Sequence, residues 1–118
     1  MTLVDTSVWI DHFRRTDRDL SRRLLDGDVC CHPFVIGELA LGNLKRPAEV
    51  LELLRALPTL SLVSDDDVLA LAHRHRLAGT GLGWVDAHLL AAAASSSALL
   101  LTHDRRLRAQ ATRLGLAA

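Results

Sequence analysis

Short apolar runs alternate along the chain with longer stretches whose apolar residues recur at helical spacing. The short runs predict buried strands and the longer stretches predict helices. The predicted strands are 2–4, 29–32, 60–63 and 98–101. The predicted helices are 6–13, 17–25, 33–42, 47–57, 65–77 and 84–94.

Helices that intervene between apolar strands predict an α/β fold with a central, mostly parallel sheet, because parallel strands need crossover connections. Sites in such sheets lie beyond the carboxyl ends of the strands. A last strand around 114–117 is expected to be short or missing. The glycine-rich segment 79–83 is expected to act as a linker, because it lacks the strand context and spacing of a phosphate-binding loop.

A length of 118 residues predicts a single domain spanning 1–118, with one core. Apolar residues make up 49% and charged residues 24%, which excludes the disordered class. The 14 basic and 14 acidic residues cancel, so the whole molecule has no net attraction for nucleic acid. The neutral total nevertheless includes two local clusters of arginine.

The arginine clusters lie near the two ends of the chain. One holds Arg14, Arg15, Arg18, Arg22 and Arg23, and the other holds Arg105, Arg106, Arg108 and Arg113. Two interpretations stay open: each cluster is a solvated helix face, or the two together hold the phosphates of a polyanion.

The cysteine pattern favours a reducing cytosol. Cys30 and Cys31 are adjacent, which is poor placement for a disulfide, and with His32 they lack the ligand spacing of a zinc site. We therefore expect buried strand thiols in a cytoplasmic protein. No secretory signal is expected at the start of the chain, and the uncharged stretch 87–101 is shorter than the roughly 20 residues of a membrane span, so no membrane partner is predicted.

Four acidic residues stand in four separate apolar stretches. They are Asp5, Glu38, Asp86 and Asp104. Burying an ionised carboxylate costs several kcal/mol, as a rough expectation, unless a cation or hydrogen bonds compensate. For each acid alone a helix cap or a surface ion pair is the alternative, and Asp5, directly before a helix, fits a cap best.

A divalent metal ion is the common partner that four carboxylates would share. Asp5 and Asp104 follow predicted strands, so both lie at the carboxyl edge of the sheet, and Glu38 and Asp86 lie on helices that can pack against that edge. Hard ions such as Mg²⁺ or Mn²⁺ prefer carboxylate oxygens and support phosphodiester hydrolysis. The sequence thus predicts a metal-dependent hydrolase.

Four motifs together resemble the PIN domain, and within it the VapC toxins of toxin-antitoxin pairs. They are VDTSVWID, GELALG, GWVDAHLLAA and LLTHDRRL. Each is weak alone, but they occur in the family's order and at compatible separations across almost the whole chain. The resemblance implies a three-layer α/β/α sandwich around a mostly parallel sheet.

The resemblance also implies an Mg²⁺-dependent endoribonuclease, with Mn²⁺ as a substitute, that cuts structured RNA such as tRNA or rRNA. A cognate antitoxin would neutralise it, and a homodimer and a toxin-antitoxin hetero-oligomer are expected. The acids would bind the metal and carry catalysis. The hydroxyl residues Thr6, Ser7 and Thr102 match positions that would orient the ligands, and Arg14, Arg15, Arg105 and Arg106 are the candidate RNA contacts.

Other functions stay open or are disfavoured by particular residues. A non-toxin RNA-processing PIN nuclease and a catalytically silent RNA- or protein-binding module stay open. A haloacid-dehalogenase phosphatase needs a second aspartate where Ser7 stands, and a receiver domain needs a late lysine, whereas the only lysine is Lys45.

Two further expectations concern single side chains. His103 departs from the residues common at its position in the family and is expected to be a surface histidine with no catalytic role. The four tryptophan and phenylalanine side chains, at Trp9, Phe13, Phe34 and Trp84, are expected to be core residues, which leaves no platform for stacking bases.

Overall fold

The computed structural model describes residues 1–118 as an α/β fold of three strands and seven helices. The strands are β1 Thr2–Val4, β2 Val29–Cys30 and β3 Leu99–Leu101. The helices are α1 Thr6–Arg14, α2 Arg18–Leu25, α3 Pro33–Leu41, α4 Pro47–Ala56, α5 Asp65–Arg74, α6 Trp84–Ser95 and α7 Arg105–Arg113.

The sheet is parallel, with β1 between β2 and β3. In register, Leu3 pairs with Cys30 on one side and with Leu100 on the other. All three residues of β1 are buried, and because alternate side chains point to opposite faces, both faces of the sheet are covered. The predicted three-layer α/β/α architecture with a parallel sheet is confirmed.

The core is centred on β1 and on helix α6. Seven consecutive residues of α6, from 87 to 93, are buried, so this helix is enclosed all round. Its alanines allow close approach to β3 and α5, which are its main neighbours. Leu89 and Leu90 are fully buried, and burial of each such side chain stabilises the fold by about 1.5–3 kcal/mol.

The predicted strand at 60–63 is wrong. Pairing beyond β2 stops at one bridge between Cys31 and Thr59, formed by the hydrogen bonds from Cys31 N–H to the Pro58 carbonyl and from Leu60 N–H to the Cys31 carbonyl. The chain then leaves the sheet, because Ser64 caps α5 immediately afterwards. At the other edge, the expected last strand is reduced to one bridge between Leu100 and Ala117.

Helix α7 was not predicted, because arginine dominates its sequence. Only Leu107 and Ala111 of this helix are buried, at the i, i+4 spacing that places both on one face. The basic residues occupy the rest of its surface. Three apolar residues in nine, two of them alanine, are too few to give a helical pattern.

The aromatic side chains are only partly core residues. Trp9 is 4% exposed, whereas Phe13 and Trp84 are 40% and 44% exposed, so the core assignment is wrong for these two. Phe13 lies near the end of α1, beyond its buried residues Val8 and Trp9, and Trp84 is the first residue of α6, ahead of the buried segment 87–93.

Both cysteines are free and buried, as expected. Burial raises the pKa of the Cys31 thiol to about 11, so this sulfur is an inert core group. None of the helices has the length and apolar character needed to cross a membrane.

Candidate functional site

The neighbouring strands β1 and β3 each lead directly to one of the four acids. Asp5 follows β1, and Asp104 lies three residues after the end of β3. Because the strands are parallel and adjacent, the two acids leave the same edge of the sheet. Glu38 lies in α3 and Asp86 in the first turn of α6, so four elements contribute to one region.

Asp5 is buried, at 7% exposure, and does not act as a helix cap. Its Oδ2 atom accepts hydrogen bonds from Ser7 Oγ at 2.7 Å and from Thr102 Oγ1 at 2.8 Å. Thr102 is itself 2% exposed. The hydroxyl groups therefore fix the carboxylate of Asp5 in place and leave the backbone of α1 uncapped by a side chain.

Asp86 is half-buried, and its charge is opposed by the other three acids. Burial raises the pKa of this carboxyl above its ordinary value, while the Gly83 N–H, 3.0 Å from Asp86 Oδ2, acts in the opposite direction. The negative charges of Asp5, Asp104 and Glu38 raise the pKa further. All four carboxylates are thus close enough to interact electrostatically.

Glu38 and Asp104 are exposed and lie at the rim of this region. Glu38 Oε1 accepts a hydrogen bond from Thr6 Oγ1 at 2.9 Å. Asp104 caps α7, because its Oδ1 accepts from the Leu107 N–H at 3.0 Å. The Asp104 N–H in turn donates to Thr102 Oγ1 at 3.0 Å, which ties this residue to the group that holds Asp5.

A common pattern unites the four acids: one oxygen is held and the other is free. The oxygens with no protein hydrogen bond are Asp5 Oδ1, Glu38 Oε2, Asp86 Oδ1 and Asp104 Oδ2. None of the four acids forms an ion pair, although five ion pairs and three histidine–carboxylate contacts occur elsewhere in the molecule. The site therefore concentrates negative charge without a cation of its own.

The donor set fits a hard divalent cation, although the side chains are not arranged as a finished coordination shell. No three His, Cys, Asp or Glu side chains converge closely enough to hold a metal ion as they stand. The free oxygens are carboxylates, the type that Mg²⁺ and Mn²⁺ prefer. Asp5 and Asp86, which are more buried, would bind an ion from the inner side of the site. The exposed side chains of Glu38 and Asp104 are free to turn toward it.

Basic side chains border one side of this region. A surface cavity of about 690 Å³ has Glu38 in its lining, together with Arg14, Lys45 and Arg46. Sequence reasoning did not identify Lys45 and Arg46, because their place beside Glu38 depends on how α4 folds back against α3. Arg14 lies at this border as a candidate RNA contact, while Arg15 is exposed at the end of α1.

Arg105 and Arg106 lie on the other side, directly after Asp104 at the start of α7. Both are exposed, and neither forms an ion pair. The Arg106 side chain packs over Gly81, where an added Cβ would lie 2.7 Å from Arg106 Cδ. The glycine-rich loop thus does more than link helices: Gly81 admits the arginine and Gly83 binds Asp86.

His103 is not the free surface histidine that the sequence suggested. Its side chain is 32% exposed, and its Nδ1 lies 2.6 Å from Asp11 Oδ2. Its Nε2 lies 3.7 Å from Asp17 Oδ2. The sequence around His103 does not indicate these partners, because Asp11 lies in α1 and Asp17 in the turn that follows α1.

Comparison with known sequences identifies relatives over nearly the full length. The family model of the PIN domain matches residues 2–112. The chain is 49% identical to the ribonuclease VapC32 of Mycobacterium tuberculosis, in both strain CDC 1551 and strain H37Rv. The alignments cover 99% of this chain and 95% of each relative.

Two solved structures share the fold at low sequence identity. The structure of VapBC-1 from nontypeable Haemophilus influenzae matches with a TM-score of 0.72 at 18% identity, covering 95% of this chain and 92% of the other. PAE2754 from Pyrobaculum aerophilum matches with a TM-score of 0.64 at 23% identity, covering 97% and 94%. At these identities the likeness is one of fold.

Proposed function

Because the chain belongs to the PIN-domain family, and within it to the VapC ribonucleases, we propose that it is a metal-dependent endoribonuclease toxin of a toxin-antitoxin pair. It hydrolyses phosphodiester bonds in structured RNA, such as tRNA or rRNA, and thereby inhibits translation. The 118 residues act as one catalytic unit. The cytoplasm, where its RNA substrate is found, is the proposed place of action.

One observation carries the proposal: the charges of Asp5, Glu38 and Asp104 all act on the half-buried Asp86, and none of the four acids has a cationic partner among the protein's own side chains. A fold that gains nothing from this repulsion would be expected to pair or remove the charges. An Mg²⁺ or Mn²⁺ ion held by Asp5, Glu38, Asp86 and Asp104 would neutralise them. Clustered carboxylates therefore lower the stability of the metal-free protein, whereas in the metal-bound protein the same groups act as ligands.

The bound ion would supply an activated water and a Lewis acid for the scissile phosphate. The protein's own residues do the rest. Asp5, held by two hydroxyl groups, fixes the floor of the site, and Asp86 is oriented by the Gly83 N–H. Thr6 orients Glu38 and Thr102 orients Asp104 by hydrogen bonds at 2.9 and 3.0 Å.

RNA is held mainly through its phosphates. Arg14, with Arg15 beyond it, borders the site on one side, and Arg105 and Arg106 border it on the other. These arginines form no ion pair within the protein and are free to contact a polyanion. Affinity for RNA should therefore fall as the salt concentration rises.

An antitoxin covers the apolar surface that continues from this basic border. A second cavity, of about 210 Å³, is lined by Trp9, Phe13, Leu53 and Leu57 among others, and it shares Phe13 and Val50 with the larger cavity beside Glu38. A segment bound along both cavities would reach the acidic site. Assembly into a homodimer and a toxin-antitoxin hetero-oligomer completes the proposal, with exposed leucines available for such contacts.

The variant Leu53→Glu tests the antitoxin surface. Leu53 is 70% exposed, so the change should leave folding and RNA cleavage intact. A carboxylate placed in an apolar interface should weaken binding of the cognate antitoxin at least about tenfold. Calorimetric titration measures this affinity, with Leu69→Glu on α5, 55% exposed, as the matched control. Antitoxin binding equal to that of the control would remove this surface from the proposal.

Induced expression in a bacterial host that lacks the antitoxin tests the toxin function. We expect growth arrest together with new, discrete RNA 5′ ends, and neither effect from Asp5→Asn. Arrest by both proteins would indicate a silent binding module. New RNA ends without arrest would indicate an RNA-processing nuclease that is not a toxin.

A further inference from the structure

His103 joins the loop that carries Thr102 and Asp104 to helix α1 at two points. Its backbone N–H donates to Ser7 Oγ at 3.0 Å, and its side-chain Nδ1 lies 2.6 Å from Asp11 Oδ2. Ser7 and Asp11 are four residues apart in α1 and so lie on the same face of the helix. One residue of the loop is thereby attached along a full turn of α1.

The first of these contacts links His103 to the hydroxyl group that holds Asp5. Ser7 Oγ accepts from the His103 N–H at 3.0 Å and donates its one proton to Asp5 Oδ2, 2.7 Å away, because an ionised carboxylate oxygen can only accept. Thr102 Oγ1 lies farther away, 3.4 Å from Ser7 Oγ. Movement of His103 would disturb this geometry and with it one of the two bonds that hold Asp5.

The second contact is reinforced by the carboxylate of Asp17, the residue that caps the next helix. Asp17 Oδ2 lies 3.7 Å from His103 Nε2, while Asp17 Oδ1 caps α2 by accepting from the Leu20 N–H at 2.9 Å. Each ring nitrogen thus faces a carboxylate, and the second carboxylate is itself fixed. The imidazole is 32% exposed and is contacted both by a residue of α1 and by the N-cap residue of α2.

We infer that His103 is a positioning residue that holds Thr102 and Asp104 against Asp5, so that the metal site keeps its shape when the ion binds. This rests on the proposed function, because the site in question is the proposed metal site. The imidazole touches neither the ion nor the RNA in this role. It acts through the backbone of its own loop and through Ser7.

Substitution of His103 and Asp11, singly and together, tests the inference. Mn²⁺ affinity is measured by calorimetry on the RNA-free protein, and kcat and KM are measured on RNA. We expect His103→Ala and Asp11→Ala each to weaken Mn²⁺ binding about tenfold or more, the size typical of groups that orient metal ligands. The double variant should be no weaker than the weaker single variant, because both remove one contact. In cleavage, kcat should fall while KM for RNA stays within about twofold.

Two further variants separate positioning from general stability. His103→Asn places an amide nitrogen near the position of Nδ1 and should restore most of the Mn²⁺ affinity. His73→Ala, an exposed histidine of α5, should match the wild type. The melting temperatures of the metal-free variants should stay close to that of the wild type.

Several outcomes would overturn the inference. They are Mn²⁺ binding by His103→Ala within twofold of the wild type, effects of the two single variants that add in the double variant, and no Mn²⁺ binding by the wild type. A wild type that binds Mn²⁺ but cleaves no RNA would contradict the proposed function alone, because the affinities of the variants would still decide the role of His103.

Discussion

Asp86→Asn should lower RNA cleavage by more than about 100-fold while the protein stays folded. Residues that only orient metal ligands contribute about 10–100-fold, so loss of a direct ligand should exceed that range. The amide oxygen that replaces a carboxylate oxygen in this variant can still accept the hydrogen bond that the Gly83 N–H donates to Asp86, so the start of α6 is preserved. Initial rates of cleavage at saturating Mg²⁺ measure the effect.

The same variant should be more stable than the wild type when no metal is present. The pKa of Asp86 is raised in the folded state, so the folded protein binds this proton more tightly than the unfolded chain does. Stability is then lost as the pH rises from the unfolded value near 3.8 through the raised folded pKa, and the loss is complete above it. The asparagine variant lacks this loss, because it has no charge to bury.

Thermal unfolding at neutral pH with a chelator measures this difference. The melting temperature of Asp86→Asn should lie above that of the wild type. Asp66→Asn is the matched control, because Asp66 is exposed in α5 and forms no ion pair. A variant that cleaves RNA at the wild-type rate, or that melts below the wild type without metal, would contradict the role assigned to Asp86.

Removal of divalent metal should abolish cleavage and lower stability at the same time. The carboxylates hold no cation of their own, so Mg²⁺ or Mn²⁺ should bind the folded state selectively. A ligand at one hundred times its Kd stabilises the folded state by about 2.7 kcal/mol. Titration of metal into chelator-treated protein should therefore raise the melting temperature in parallel with activity.

Variants distinguish this effect from a general response to salt. The metal-dependent rise in melting temperature should be lost in Asp86→Asn and kept in Asp66→Asn. Sodium chloride at equal ionic strength should not reproduce it. Full cleavage in excess chelator would contradict metal dependence and favour a mechanism carried by protein side chains alone.

Much of the fold was predictable because the strands and core helices have strong, simple patterns. The apolar run of β1 and the enclosed helix α6 are recognisable from composition alone, and the parallel direction of the strands follows from the helices between them. The strand expected at 60–63 does not form, and its sequence gives no indication of this. An apolar run becomes a strand only if it pairs with the edge of a sheet, and here pairing beside β2 is limited to the one bridge between Cys31 and Thr59.

The four acids of the candidate site were identifiable because isolated carboxylates in apolar stretches are costly. Their hydrogen-bond partners were not derivable from spacing. Thr102 lies 97 residues from Asp5 along the chain, and only the pairing of β1 with β3 brings the two together. The roles of Thr6, Ser7 and Thr102 as orienting groups came from family resemblance.

The surroundings of the site were the least predictable part. His103 meets Asp11 across 92 residues of chain and also faces Asp17, whereas its identity alone favoured an exposed residue. The exposure of Phe13 and Trp84 is likewise a tertiary property, since both stand among apolar residues in the sequence and only packing decides which of these remain at the surface. Contacts between distant segments decided each of these features.

Cleavage of total cellular RNA by the isolated, antitoxin-free protein shows whether this chain is a metal-dependent endoribonuclease. Wild type and Asp5→Asn are incubated with Mg²⁺ or Mn²⁺, and again with chelator, and RNA ends are mapped. We expect discrete products that require both the metal and Asp5. Products that persist in Asp5→Asn, or no metal-dependent products from folded wild type, would contradict this expectation.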